Sequence, residues 1–297
     1  MYKNFDELLE LEKLKSNPKT AALIGAEAVH ALEAFKVAKG MGAIDFLLFG
    51  NKEVVLKKLE ELGMADEADK VVDCESPEDA SVKAINAVLE GRADFIVKGQ
   101  LDTKVMMGQL VKSANGFRGN GVAHSIAFCE IETHHKLVAM TDAAILIEPS
   151  LEQKQAMIEN GVAALRALGW EKPKVAVLSA VEKPNPKIKS STEARTLQEM
   201  FAGREDCIVE GPLAFDLALN EESAKLKGFV SEVAGDADFL IFPDLDAGNM
   251  VVKTLTTTGH NRTGSVILGL KAPVVMSSRG ATMENKLRGI LLAASMA

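Results

Sequence analysis

The sequence predicts an α/β fold with mainly parallel sheet, and three observations carry that expectation. Short apolar runs of strand type alternate with helical patterns along most of the chain, the mark of βαβ units. The alternation breaks once, between residues 122 and 147, where apolar runs follow one another closely. A second α/β series then begins, with no internal repeat or low-complexity tract. At 297 residues the chain supports one large domain or two moderate ones. Its short linkers require two domains, if present, to pack tightly around a cleft.

In the first half, strands are predicted at Thr20–Ile24, Ile44–Phe49 and Asp94–Val97, with helices at 27–40, 51–62 and 77–90. Ser76 caps the last of these helices and Pro77 takes its first position. Val122–Cys129 and Lys136–Met140 flank the polar stretch Glu130 to His135, a hairpin or antiparallel meander that Ala143–Ile147 continues. Ser150 and Gln153 form a capping box for a helix ending at Gly169. The second series reads as strand Val175–Leu178, helix 191–202 capped by Ser190, strand Cys207–Val209 and helix 213–219. Strand Phe239–Phe242 and helix 247–256 follow, and strands Ser265–Leu268 and Val274–Met276 with helix Met283–Ala294 close the chain.

Bulk composition excludes several classes of function. A net charge of −8 opposes nucleic-acid binding, which needs a basic face, and 5% aromatic residues give no base-stacking platform. No apolar run approaches the ~20 residues of a membrane span, and residues 1–7 lack a signal-peptide core. Cys74, Cys129 and Cys207 are scattered and odd in number, so they read as reduced thiols of a cytoplasmic protein. Adjacent His134 and His135 point apart in a strand or turn, so no metal site is expected.

Two polar loops near the C-terminus carry the most chemistry. Pro243 to Asn249, with Lys253 a turn later, and Ser277-Ser278-Arg279-Gly280 each follow an apolar strand and precede a helix. Open α/β sheets place ligands at such strand ends. The guanidinium of Arg279 offers a fork to phosphate, and Ser278 with helix-start amides suits a developing oxyanion. An isolated Ser-Arg-Gly is more often a helix cap, and Asp244, Asp246 and Asn249 also suit turn and cap roles. Their acidity alternatively orients Lys253 or an arginine across a cleft. Lys98 to Thr103 forms a second candidate phosphate cradle, with a plain capped βα loop as its equal alternative. Gly116 to Gly121 fails the dinucleotide pattern, because its third glycine is missing and a strand follows. Arg118, His124 and Ser125 remain candidate ligand contacts.

The stretches ADFIVKGQLDT (93–103), FRGNGVAHSIAFCE (117–130), GPLAFD (211–216), SEVAGDADFLIFPDLDAGNMVVK (231–253) and APVVMSSRGATMENK (272–286) together resemble the phosphate acetyl/butyryl transferase family. The resemblance is closer to its phosphate butyryltransferase branch and spans most of the chain in the family's order. It implies reversible transfer of a short acyl group between coenzyme A and inorganic phosphate, with coenzyme A as substrate and no bound cofactor. It implies two α/β domains, the second inserted, with the active-site cleft between them as in isocitrate/isopropylmalate dehydrogenases, and a homodimer. The corresponding division is 1–142 plus 269–297 for the first domain and 143–268 for the inserted one.

By the same resemblance Arg279 takes the phosphate of acyl phosphate and Ser278 the thioester carbonyl or thiol region. Lys98, Thr103, Arg118, His124 and Ser125 line the cleft, and Asp244, Asn249 and Lys253 face it. Where the acetyl branch has an aspartate taken as the base for the thiol, this chain has Asn285 beside Glu284, so the base is open. Acetyl preference, a two-domain hydroxy-acid dehydrogenase and a non-catalytic CoA-binding paralogue are the alternative readings. The missing dinucleotide and metal-carboxylate signatures count against the dehydrogenase.

Overall fold

Strands in this chain form where continuous apolar runs meet, because a strand buried on both faces has no room for alternation. In the computed structural model, which describes residues 2–9, 11–119, 121–259, 261–276 and 282–297, they belong to two compact units. A terminal unit comprises Leu9–Ala123 and Gly264–Ala297, and a central unit comprises Met1–Leu8 and His124–Thr263. These boundaries differ from the 142/143 and 268/269 divisions expected from the sequence. The hairpin after residue 123 makes its contacts with the segment that follows it.

The terminal unit begins with β1 (Lys19–Ile24), β2 (Ile44–Gly50), β3 (Val71–Asp73) and β4 (Phe95–Lys98). β1 is parallel to β2 on one side and to β4 on the other, and β3 extends the sheet beyond β2. Ala21 to Ile24 of β1 are wholly buried, as a central parallel strand requires. The connecting helices start where the sequence supplies caps. Asn51 accepts from the Val54 N–H, and Ser76 from that of Asp79 with Pro77 in the first turn. β3 was not foreseen, because three residues behind an acidic 3₁₀ turn carry no period to read.

The central unit holds β5 (His124–Glu130), β6 (Leu137–Thr141), β7 (Lys174–Leu178), β8 (Ile208–Leu213) and β9 (Phe239–Ile241). β5 and β6 form the predicted antiparallel hairpin, β6 and β9 run parallel, and β7 joins β9 to β8. The Ser150 capping box is present and opens helix Leu151–Ala167. That helix packs so closely on β9 that a Cβ on Gly161 would overlap the Phe239 ring. Two expectations are corrected here. Residues 143–147 are not a strand, because the Asp142 carboxylate gathers the N–H groups of residues 144–146 into a turn. Ser190 does not cap its helix, which starts at Lys189 without a side-chain cap, because the Ser190 hydroxyl bonds that of Ser179 instead.

The chain then contributes β10 (Arg262–Leu268) and β11 (Val274–Val275), whose pairing is antiparallel at Ile267 and Val274. β11 lies parallel to β4, so the terminal unit's strand order is β3-β2-β1-β4-β11-β10. Helix Met283–Met296 covers this sheet with Ile290, Leu292 and Ala293 buried.

Charge is also built into the central unit's core. Lys136, 1% exposed, bonds Asp238 at 2.7 Å, and Asp238 also accepts from the Trp170 ring N–H and the Lys174 backbone. Burial alone would raise the Asp236 carboxyl, yet hydrogen bonds from Lys136, Lys174 and His135 hold it far below the usual carboxylate range. Removing one member of a buried pair strands the other charge. Lys136→Met is therefore expected to cost about 3–5 kcal/mol in urea unfolding; a loss below about 1 kcal/mol would contradict this assignment.

Candidate functional site

Ligand sites in open α/β sheets lie beyond the carboxyl ends of strands, where successive connections leave in opposite directions. In the terminal unit that point falls between β1 and β4. There a Cβ on Gly99 would overlap the Gly25 carbonyl, while the Gly99 and Gln100 N–H groups donate to Ile24 and Gly25. A cleft of about 210 Å³, open to solvent, runs from Gly25 and Glu27 past Asn51, Glu75 and Ser76 to Gln100 and Leu101. A second of about 370 Å³ has Lys98 to Leu101 in its lining. Lys98 is 9% exposed at the end of β4. Thr103 opens the following helix behind the cap Asp102, whose carboxylate accepts from the Lys104 N–H at 2.7 Å. Lys98 and Thr103 thus share one βα loop, as the sequence indicated.

Arg118 lies on another loop of this unit, which bridges to Leu270, and its guanidinium donates to the Gly121 carbonyl at 3.3 Å. Glu284 and Asn285 occupy the first turn of the last helix, capped by Thr282. Hydrogen bonds from the Glu284 backbone and the Thr282 hydroxyl hold the Glu284 carboxyl below its ordinary value. The Asn285 side-chain oxygen accepts from Arg288. Ser278 and Arg279 lie outside the described residues.

In the central unit, four predicted residues meet at one sheet edge, where β5 starts and β6 and β9 end. Continuing the hairpin register sets Ser125 opposite Asp142. Asp142 is 2% exposed and accepts from the Ser125 hydroxyl at 2.5 Å and from the N–H groups of Ser125, Ala144, Ile145 and Leu146. The turn so formed receives helix Leu245–Thr258. Asn249 donates to the Ala143 carbonyl at 2.9 Å, the Leu245 N–H donates to Ile147, and Gly248 abuts the Asp142 backbone. Asp244 takes the cap role, accepting from the Ala247 N–H at 2.9 Å. Lys253 is exposed on the same helix. Asp142 was not singled out from sequence; an acid ending one arm of a hairpin opposite a serine was the available signal.

His124 is wholly buried. The Thr141 hydroxyl donates to the Ser125 carbonyl at 2.6 Å, so the 2.7 Å contact to His124 Nδ1 requires that nitrogen to donate. Nε2 then keeps a bare lone pair, with no hydrogen-bond partner among the described residues. Burial pushes the imidazole down to about 4 against the opposing charge of Asp142. Burial likewise raises the thiols of Cys74 to about 11 and Cys129 to about 12, so neither supplies a thiolate at neutral pH. Among the described residues no group of three or more His, Cys, Asp or Glu is placed to hold a metal ion. No described helix is long and apolar enough to cross a membrane.

The terminal unit thus carries a glycine-lined strand end with Lys98 beside it, and the central unit a network of hydroxyl, carboxylate and imidazole. The family profile described as "Phosphate acetyl/butaryl transferase" matches residues 75–294. The phosphate butyryltransferase of Clostridium acetobutylicum is 35% identical over 100% of this chain and 99% of its own. The phosphate acetyltransferase of Thermotoga maritima is 36% identical over 98% and 99%. A branched-chain phosphotransacylase from Enterococcus faecalis superposes with a TM-score of 0.85 at 29% identity, covering 94% of this chain and 98% of that one. The chain belongs to the phosphate acetyl/butyryl transferase family and is an acyltransferase.

A histidine held neutral by burial has a consequence for stability. An unfolded histidine titrates near about 6.5, and His124 in the fold near about 4. Its contribution is present above the unfolded value and lost as pH falls from there toward the folded one. His134 is pushed down in the same way, chiefly by burial. His124→Gln is expected to flatten the acid-side loss of unfolding free energy by up to roughly 3 kcal/mol. Parallel stability curves for the two proteins between those pH values would refute it.

Proposed function

We propose that the protein transfers a short acyl group, butyryl or branched-chain, reversibly between coenzyme A and inorganic phosphate through a ternary complex. The observation that supports this reading is 35% identity to a phosphate butyryltransferase over the whole length of the chain. In the acyl-CoA-forming direction, the thiol attacks the carbonyl of acyl phosphate and phosphate leaves under Arg279. Ser278 and neighbouring amides hold the oxyanion. Lys98, Thr103, Arg118 and Lys253 bind the anionic groups of the substrates, while His124, Ser125, Asn249 and Asp244 shape the loops around them. Positioning and charge neutralisation supply most of the rate. The protein works in the cytoplasm as a homodimer.

Acetyl preference is the second reading, supported by the similarity to the acetyltransferase of Thermotoga maritima. A panel of acetyl-, propionyl-, butyryl- and isobutyryl-CoA with phosphate, following free thiol, separates the two: the highest kcat/KM is expected for a four-carbon chain. Arg279→Ala should lower phosphate-dependent release of CoA by at least about 100-fold while the fold persists. Near-normal release would remove Arg279 from the mechanism. Glu284→Gln should leave the pH–rate profile unchanged, because an exposed carboxylate held low is a poor base; a displaced profile would make it the base.

A further inference from the structure

The cleft lined by Glu27, Asn51 and Glu75 differs in chemistry from the strand end beside Lys98. Two helices start in its wall, behind the caps Asn51 and Ser76, and such termini ordinarily hold anions. Here the chain's own acceptors already use those N–H groups. Glu27 accepts from the Asn51 N–H at 2.7 Å, Asp73 from Lys52 at 3.0 Å, and Ser76 from Asp79 at 3.1 Å. The carboxylates of Glu27 and Glu75 add negative charge to the lining. A phosphate is refused by that charge, and an acyl chain by the cost of drying carboxylates it cannot bond. A metal ion lacks its ligands, since no group of three or more His, Cys, Asp or Glu among the described residues is placed to hold one. The fitting occupant is a neutral group with a hydrogen-bond donor and an apolar face, the latter matched by Pro77, Ala80 and Leu101.

Glu27 and Asn51 define the polar pattern more closely. A Cβ on Gly50 would overlap the Glu27 carboxylate, so the glycine lets that side chain lie across the end of β2. The Asn51 N–H holds one of its oxygens, and the other has no partner among the described residues. The Val54 N–H donates to the Asn51 side-chain oxygen, which leaves the amide NH₂ as the group to meet a ligand. An acceptor and a donor thus stand on neighbouring side chains. Adenine presents the complement, an amine donor next to a ring-nitrogen acceptor.

We infer that this cleft seats the adenine ring of coenzyme A, its amine on Glu27 and a neighbouring ring nitrogen on the Asn51 amide. This rests on the transferase reading given above. The volume of about 210 Å³ is below the roughly 300 Å³ at which pockets for whole drug-sized ligands begin, so one end of a larger molecule enters. The ribose stays outside, because its phosphate would meet the same carboxylates. Gln100 and Leu101 line both this cleft and the one beside Lys98, so the phosphates leave toward the cationic side.

The test measures thioester formation from acyl phosphate with three thiols, and thermal unfolding checks the fold of each variant. The thiols are coenzyme A, its etheno derivative, whose amine is tied into a fused ring, and 4′-phosphopantetheine, which lacks the nucleotide. Wild-type KM for the etheno derivative is expected at least about 10-fold above that for coenzyme A, the size of one charged hydrogen bond. Glu27→Gln keeps an oxygen for the Asn51 N–H but loses the charge. It should raise KM for coenzyme A toward that of the etheno derivative and leave KM for 4′-phosphopantetheine unchanged. Asn51→Asp keeps the cap but loses the donor, and should act in the same way; it decides the matter if Glu27→Gln does not fold. A wild-type KM for the etheno derivative within about threefold of that for coenzyme A would overturn the assignment. An equal rise for 4′-phosphopantetheine in the folded variants, or no rise for coenzyme A, would do so too. A wild-type protein inactive with every acyl phosphate tried would instead overturn the transferase reading, and the adenine seat with it.

Discussion

A carboxyl group taken out of water is tolerated where N–H and O–H dipoles surround it. Asp142 is such a group, and the architecture of its sheet edge follows from satisfying it. Four backbone N–H groups and the Ser125 hydroxyl converge on its two oxygens. Meeting that demand bends residues 143–146 away from the sheet and joins the start of β5 to the end of β6. It also exposes the Ala143 carbonyl to Asn249, which fixes how helix Leu245–Thr258 approaches. A glycine at 248 is needed there because the helix backbone comes against Asp142 itself.

The parts of the fold legible in the sequence were those whose causes are local. Ser76-Pro77 and the Ser150 and Gln153 box act within a single turn, and their helices begin where expected. Long apolar runs such as Ala21–Ile24 announce buried strands because nothing else accommodates them. Failures came where a distant partner decided. Ser190 has the right type and place for a cap, but Ser179 claims its hydroxyl. Residues 143–147 have strand composition, but one preceding carboxylate outbids the ladder. β3 is too short to show a period and forms because Leu48 to Gly50 of β2 present an open edge.

The same distinction governs the site. Loops at strand ends were readable because glycines and caps punctuate them, and the family likeness drew its residues from those loops. What could not be read was the hydrogen-bond direction at each atom, which depends on groups brought together by folding. The tautomer of His124 is set by a threonine in β6, and the polarity of Ser125 by the residue opposite it. Asp244 fills the cap role that its type allowed, at the start of helix Leu245–Thr258.

The crossing of Gly25 and Gly99 has a bearing on engineering. Because each loop backbone occupies the space a side chain on the other would need, neither can be remodelled while its neighbour stays fixed. A library meant to retune acyl preference through the loop after β4 would reach viable sequences sooner by diversifying the loop after β1 in the same clones.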